Sequence, residues 1–172
     1  CIVTVEDPVE YELPLITQVQ VNVKSGLTFA AGLRSILRQD PDIILIGEIR
    51  DGETASIAVR AAMTGHLVLS TLHTNDPVSA LPRLQDMGLS RLELAAALQG
   101  VLAQRLLRVN CQACAAPYEP DAESLALLKP HQRDGKWERG KGCSLCGHTG
   151  IRGRRPIHDL LSEDPAVFAG NP

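Results

Sequence analysis

The chain has 172 residues and a formal net charge of −3, from 17 basic and 20 acidic side chains. That length suits one domain with a small appendage, and the mild acidity argues against a dedicated nucleic-acid binder, which is usually basic. Apolar residues make up 44% and aromatics only 3%, so the core must be built from Ala, Leu, Ile and Val. This composition fits helices packed on a parallel sheet better than an all-β sandwich. No apolar run reaches the roughly 20 residues needed to cross a bilayer as a helix. The opening Cys1-Ile2-Val3-Thr4-Val5 is already strand-like and carries no Met, and the end at Asn171-Pro172 is abrupt, as expected of part of a longer protein.

Three short apolar runs each lead into polar residues: Ile2–Val5 into Glu6-Asp7-Pro8, Ile43–Ile46 into Gly47-Glu48, and Leu67–Leu69 into Ser70-Thr71-Leu72-His73. Continuous β-branched runs of this kind are expected of parallel strands buried on both faces. Helical patterns separate them, over Leu27–Arg38 and over Glu53–Thr64, the latter stopped by Gly65. Strand–helix alternation implies an α/β sheet, and ligands of such sheets bind at the carboxyl ends of the strands. Glu6, Asp7, Glu48, Ser70, Thr71 and His73 fall there.

Further along, Asp76-Pro77 reads as an N-cap with Pro at the first helical position, ending at Gly88. Ser90-Arg91-Leu92-Glu93 is a capping box that predicts a helix to about Leu107. Residues 109–150 hold four cysteines, several Gly and Pro, and a short helical run near Ser124–Leu128. From Ile151 the chain is basic, then apolar, and is expected to begin a helical region over 151–172. The predicted division is therefore 1–108, 109–150 and 151–172.

Pro41-Asp42-Ile43-Ile44-Leu45-Ile46-Gly47-Glu48 resembles a Walker B strand, in which a buried strand delivers a carboxylate beside a γ-phosphate. Glu48 could there orient the attacking water. Gly47 stands where an acidic residue is usual, which removes one familiar magnesium contact. Thr4–Glu10 sets Glu6, Asp7 and Glu10 near a second strand end, where repulsion between carboxylates is eased by a cation such as magnesium. His66 and His73 bracket the third strand. A His at a strand's carboxyl end can donate to phosphate or report its presence, which favours His73; His66 reads as a structural hydrogen-bonder.

Cys111-Gln-Ala-Cys114 and Cys143-Ser-Leu-Cys146 are separated by 28 residues. Two C-x-x-C knuckles flanked by Gly142 and Gly147 offer four thiolates to a closed, structural zinc site, and no position is left open for zinc catalysis. Cys1 stands apart as a strand residue.

Together, Thr4–Glu10, Gln18–Asn22, Gly26–Ala30, Leu33–Asp51, Thr64–Asn75 and Ala103–Leu106 resemble, in order, the segments of the secretion ATPase superfamily that serves type II secretion and type IV pilus assembly. The resemblance covers about residues 1–150. It implies an α/β, RecA-like P-loop ATPase core followed by a tetracysteine zinc subdomain, with ATP, Mg2+ and Zn2+ as ligands. Thr4–Glu10 is then similar to the family's Asp box, Asp42–Asp51 to its Walker B region and Thr64–Asn75 to its His box.

On that resemblance Glu48 activates water, Glu6 contacts magnesium through water, His66 and His73 lie near the γ-phosphate, and Arg34 and Arg38 contribute to the nucleotide at a subunit interface. It also implies a homo-hexamer, cytoplasmic and peripheral to the inner membrane, working on a membrane platform protein, without nucleic acid. The tetracysteine points to the secretion or pilus-extension branch. The family's phosphate loop, G-x-x-x-x-G-K-[ST], is absent from these residues; in the family it lies upstream, and without it this stretch is not expected to hydrolyse ATP. Pro156-Ile157-His158-Asp159 also departs from the family's Gly-Ile-Tyr-Glu-like run. The rival reading is a zinc-binding module that contacts protein or nucleic acid without ATPase activity.

Overall fold

A computed structural model describes residues 1–128, 130 and 135–162. The chain divides into two compact units, one of Cys1–Ala103 with the segment from Asp159 onward, the other of Gln104–His158. The cuts between these units come after 103 and 158, against expected ones after 108 and 150.

The first unit is a parallel sheet carrying helices. Strands β1 (Ile2–Glu6), β2 (Thr17–Gln20), β3 (Ile43–Ile46) and β4 (Leu67–Ser70) lie in the order β2-β1-β3-β4, all parallel. Their register sets Val5 beside Ile46 and Ile46 beside Ser70, so three strands end at one level. Helices α1 (Phe29–Ile36) and α2 (Gly52–Met63) follow β2 and β3. Both start where the sequence supplies a cap. Thr28 accepts a hydrogen bond from Ala31 N at 3.2 Å, and Asp51 accepts one from Thr54 N at 2.8 Å.

The core joins Val3, Val5, Ile44 and Ile46 of the sheet to Leu33 and Ile36 of α1 and to Ala55, Ala58 and Ala61 of α2. The three alanines let α2 lie close to its neighbours, and burying each large aliphatic side chain stabilises the unit by roughly 1.5–3 kcal/mol. Burial on both faces, expected of all three apolar runs, holds for β1 but not for β4. Leu67 and Leu69 of β4 are 45% and 46% exposed, because β4 is the edge of the sheet.

Two short helices follow, α3 (Ala80–Asp86) and α4 (Arg91–Ala97). Asp76 does accept from Ser79 N at 2.9 Å, but the helix proper begins three residues beyond Pro77, at Ala80. The capping box at Ser90 and Glu93 forms in both directions. The helix it opens stops at Ala97, however, and does not reach Leu107. Gly100–Asn110 is instead strand β5, paired with β8 (Ile151–Ser162).

Pairing with β8 overrides the moderate helix propensity of Leu-Ala-Gln-Arg, a frequent outcome when tertiary contacts compete with local preference. The expected helical start at 151 is likewise corrected to strand. Gly153 and Pro156 disfavour a helix there, Pro because it lacks a donor and clashes with the preceding turn. Residues 163–172 of that expectation lie outside the described residues.

Between β5 and β8, strands β6 (Ala115–Pro117) and β7 (Glu138–Gly140) form an antiparallel ribbon, with helix α5 (Ala122–Ala126) near the expected helical run.

Candidate functional site

Glu48 lies two residues past the end of β3, and the backbone there is held on both sides. Gly47 N donates to Val5 O at 2.7 Å, Ser70 Oγ donates to Ile46 O at 2.9 Å, and Thr71 Oγ1 donates to Gly47 O at 2.7 Å. Ile49 N then donates to Thr71 O at 3.1 Å. This lattice carries the chain out of β3 in one conformation. A side chain at 47 would press on β1, since a β-carbon there would stand 3.2 Å from Val5 O and 3.4 Å from Glu6 Cα. The glycine in place of the usual acid thus follows from close backbone approach.

The Glu48 carboxylate is only 14% exposed and both its oxygens are engaged. Oε1 accepts from Arg50 Nη2 at 2.5 Å, and Oε2 lies 3.1 Å from His73 Nε2. The Arg50 hydrogen bond, opposed by burial and assisted by His73, holds Glu48 below the usual glutamate range. Arg50 is raised in turn, chiefly by Glu48 and more weakly by Asp7. Glu48 therefore stays ionised.

Glu6 closes β1 beside this point. Its Oε1 accepts from Thr4 Oγ1 at 2.5 Å and from Gln18 Nε2 at 2.9 Å, while Oε2 accepts no hydrogen bond among the described residues. Gln18 also spans the following loop, donating to Tyr11 O at 3.0 Å and accepting from Leu13 N at 2.7 Å.

The strand ends thus assemble Glu6, Glu48 and His73 at one end of the sheet, as their positions after apolar runs implied. His66 is elsewhere. It precedes β4, and its Nδ1 sits 3.0 Å from Ala61 O and 3.3 Å from Thr64 Oγ1, a structural bridge from the end of α2 into the strand. Arg34 pairs with Glu53 across α1 and α2 and, with His66, lines an open depression floored by Leu37, Ile57 and Ala61. Arg38 is exposed. These three residues are not brought to Glu48. The sequence sets Arg50 and Gln18 inside motifs without giving them a role; their signal was proximity, two residues past Glu48 and within the polar strand β2.

The second unit holds Cys111, Cys114, Cys143 and Cys146 with their sulfurs all within 4.8 Å of one another. Sγ–Sγ separations are 3.9 Å for Cys111–Cys143, 3.9 Å for Cys114–Cys146 and 3.8 Å for Cys143–Cys146. A disulfide needs about 2.05 Å, so no bond links them. A tetrahedron built on Zn–S bonds of about 2.3 Å has S–S edges of about 3.8 Å, which these three separations match.

Backbone amides turn toward the sulfurs: Gly142 N to Cys114 at 3.3 Å, and Cys143 N and Gly150 N to Cys146 at 3.2 and 3.3 Å. The Cys143 amide leads in lowering the Cys146 thiol to about 6, while burial leads in raising Cys114 to about 11.

The family model described as Type II/IV secretion system protein matches residues 1–168. The chain is 53% identical over 167 residues to the Type IV pilus assembly ATPase PilB of Thermus thermophilus, covering 95% of this chain and 19% of that protein. It is 52% identical over 167 residues to the Type II secretion system ATPase E of Vibrio cholerae, covering 96% of this chain and 33% of that protein.

The chain thus spans a third or less of these curated relatives. The crystal structure of the pilus retraction motor PilT with bound ADP superposes with a TM-score of 0.68 at 30% identity, over 99% of this chain and 41% of that one. The Legionella pneumophila ATPase DotB shares the fold, with a TM-score of 0.62 at 22% identity, over 99% of this chain and 42% of that one. The parallel sheet and its helices are accordingly part of a RecA-like core fold of the kind these neighbours have. With strand ends, cysteine knuckles and nearly the whole length accounted for by one family, the chain belongs to the type II/IV secretion system proteins.

Proposed function

We propose that the protein carrying this chain is an ATP-hydrolysing motor for type II secretion or type IV pilus assembly. The observation that carries this is Glu48, ionised, fixed at a strand's carboxyl end and joined to His73 beside Glu6. In this reading Glu48 accepts the proton of a water as its oxygen bonds to the γ-phosphorus and the bond to the β-phosphate oxygen breaks. His73, at hydrogen-bond distance from Glu48, relays phosphate loss to the rest of the sheet.

Magnesium, when bound, supplies charge neutralisation on the phosphates, and the unbonded Oε2 of Glu6 suits a contact to it through water. Arg34, Arg38 and His66 stand apart from this cluster; the two arginines would contribute to the nucleotide at a subunit interface, while His66 would serve as a structural hydrogen-bonder between α2 and β4. The unpaired edge of β4, with Leu67 and Leu69 exposed, would accept the strand that delivers a phosphate loop.

The four cysteines would hold a structural zinc ion, supported by their spacing and by amide donors to Cys114 and Cys146. The motor would assemble as a homo-hexamer on the cytoplasmic side of the inner membrane and act through a platform protein. None of the described helices is long and apolar enough to cross a membrane, in keeping with attachment through partners. A zinc module without ATPase activity would leave the strand-end cluster without a use. In the full-length protein, Glu48→Gln should abolish turnover while nucleotide binding persists; sustained turnover would refute the assignment.

A further inference from the structure

The two carboxylate oxygens of Glu6 are treated differently. Oε1 accepts from Thr4 Oγ1 at 2.5 Å and from Gln18 Nε2 at 2.9 Å, whereas Oε2 accepts no hydrogen bond among the described residues. Both donors are placed by the sheet. Thr4 is 5% exposed and stands two residues before Glu6, on the same face of β1. Gln18 comes from β2, where the parallel register sets it beside Thr4.

The terminal torsion of a glutamate is broad and roughly two-fold, so a carboxylate left alone exchanges its oxygens. Two donors on Oε1 end that exchange and leave Oε2 facing one way. The Gln18 amide is itself held in place. Its Nε2 also donates to Tyr11 O at 3.0 Å, and its Oε1 accepts from Leu13 N at 2.7 Å. Two acceptors and one donor around an amide admit one orientation of its nitrogen and oxygen. Gln18 therefore cannot turn from Glu6 without releasing two backbone groups of the loop between β1 and β2.

We propose that Gln18 is a positioning residue for the cation site: it fixes the Glu6 carboxylate so that Oε2 is presented to the hydrated divalent cation of a nucleotide. This rests on the ATPase reading above and adds to it the side chain that sets the direction of Glu6. Gln18 acts through Glu6 in this scheme, not on the cation or the phosphates. Magnesium keeps several waters in near-octahedral geometry, so an oxygen that receives one of those waters has to stand in a fixed place. Removing an outer-shell partner of this kind typically costs about 10–100-fold in metal affinity or activity.

A purely structural part for Gln18, tying down the loop, is separable from this one. Gln20 also holds the loop, accepting from Val9 N at 3.3 Å, but makes no hydrogen bond to Glu6. The test uses the full-length protein with Gln18→Leu, Gln18→Asn, Gln20→Ala, Glu6→Gln and the Glu6→Gln, Gln18→Leu double variant. Turnover is followed through a magnesium titration. The equilibrium affinity for a fluorescent ATP analogue is measured in magnesium and in EDTA.

Gln18→Leu should raise the magnesium midpoint of turnover about tenfold and weaken analogue binding in magnesium by a similar factor, while the affinity in EDTA stays within about twofold of the parent. Gln20→Ala should leave the midpoint unchanged. The double variant should bind the analogue in magnesium as Glu6→Gln alone does, because Gln18 acts only through Glu6. Should Gln18→Leu fold poorly, Gln18→Asn, whose amide is one methylene short of Glu6, should shift the midpoint in the same direction. A parent-like midpoint in the Gln18 variants, an equal shift with Gln20→Ala, additive losses in the double variant, or an equal loss of affinity in EDTA would each overturn the proposal. Turnover that survives Glu48→Gln would instead overturn the reading on which it stands.

Discussion

Replacing Gly140 by Ala tests how the cysteine centre is built. Gly140 and Gly150 press backbone on backbone: a β-carbon on Gly140 would stand 1.9 Å from Gly150 O, and one on Gly150 would stand 2.2 Å from Gly140 O. Real β-carbon contacts essentially never fall below 3.0 Å, so the two strands must part by about 1.1 Å. Gly150 is not a spectator. Its carbonyl accepts from Cys111 N at 2.9 Å, and its amide donates to Cys146 Sγ at 3.3 Å. Gly140 leads directly into Lys141, whose amide donates to Cys114 O at 3.0 Å.

Both knuckles are thus referenced to this contact. A displacement of about 1 Å is several times the tolerance of about 0.2 Å on metal–ligand distances. Loss of outer-shell support typically costs 10–100-fold in metal affinity, or about 1.4–2.7 kcal/mol, and Gly140→Ala should reach the upper end. The assay is competition for zinc against a chromogenic chelator, run with the parent and with Gly147→Ala. A β-carbon on Gly147 meets nothing within 4 Å, and its φ of 57° carries only the left-handed conformational cost, roughly 1–2 kcal/mol. The reasoning fails if Gly140→Ala holds zinc as firmly as the parent, or less weakly than Gly147→Ala.

Gly47→Asp, which restores the usual acid of the motif, should destabilise the first unit rather than strengthen magnesium binding, because its β-carbon would sit 3.2 Å from Val5 O; a rise in the urea midpoint would contradict this. Leu33→Ala removes a side chain with 0% exposure that packs between α1 and the sheet, and should cost about 2–5 kcal/mol in urea unfolding.

The depressed Glu48 carboxyl makes a pH prediction. Because its folded value lies below the ordinary 4.5, its contribution to stability is present above 4.5 and is lost as pH falls through the lower folded value. The stability difference between parent and Glu48→Gln should therefore shrink on acidification below 4.5; a difference independent of pH would show that the Arg50 and His73 bonds do not set the titration.

Much of this protein was legible in its sequence for local reasons. Apolar runs ending in Glu6, Glu48 and Ser70 announce parallel strands and their carboxyl ends, since strand period and burial act over a few residues. Thr28, Asp51 and Ser90 mark helix starts because capping is satisfied within three residues. Two C-x-x-C pairs point to a cluster able to hold a metal whatever fold surrounds them, as thiolate chemistry depends on the ligands themselves.

What lay beyond the sequence was set by contacts between distant segments. Gly100–Leu107 looks helical alone and becomes strand only because Ile151–Ser162 pairs with it. His66 and His73 share one motif, yet β4 carries them to opposite ends, one to Ala61 and one to Glu48. Gly47 reads as a lost magnesium ligand, and only the fold shows that a β-carbon there would stand 3.2 Å from Val5 O. Arg50 acquires a partner only when its guanidinium meets Glu48. Local chemistry is written in neighbouring residues, whereas the choice of hydrogen-bond partner belongs to whichever distant groups the packed sheet brings within reach.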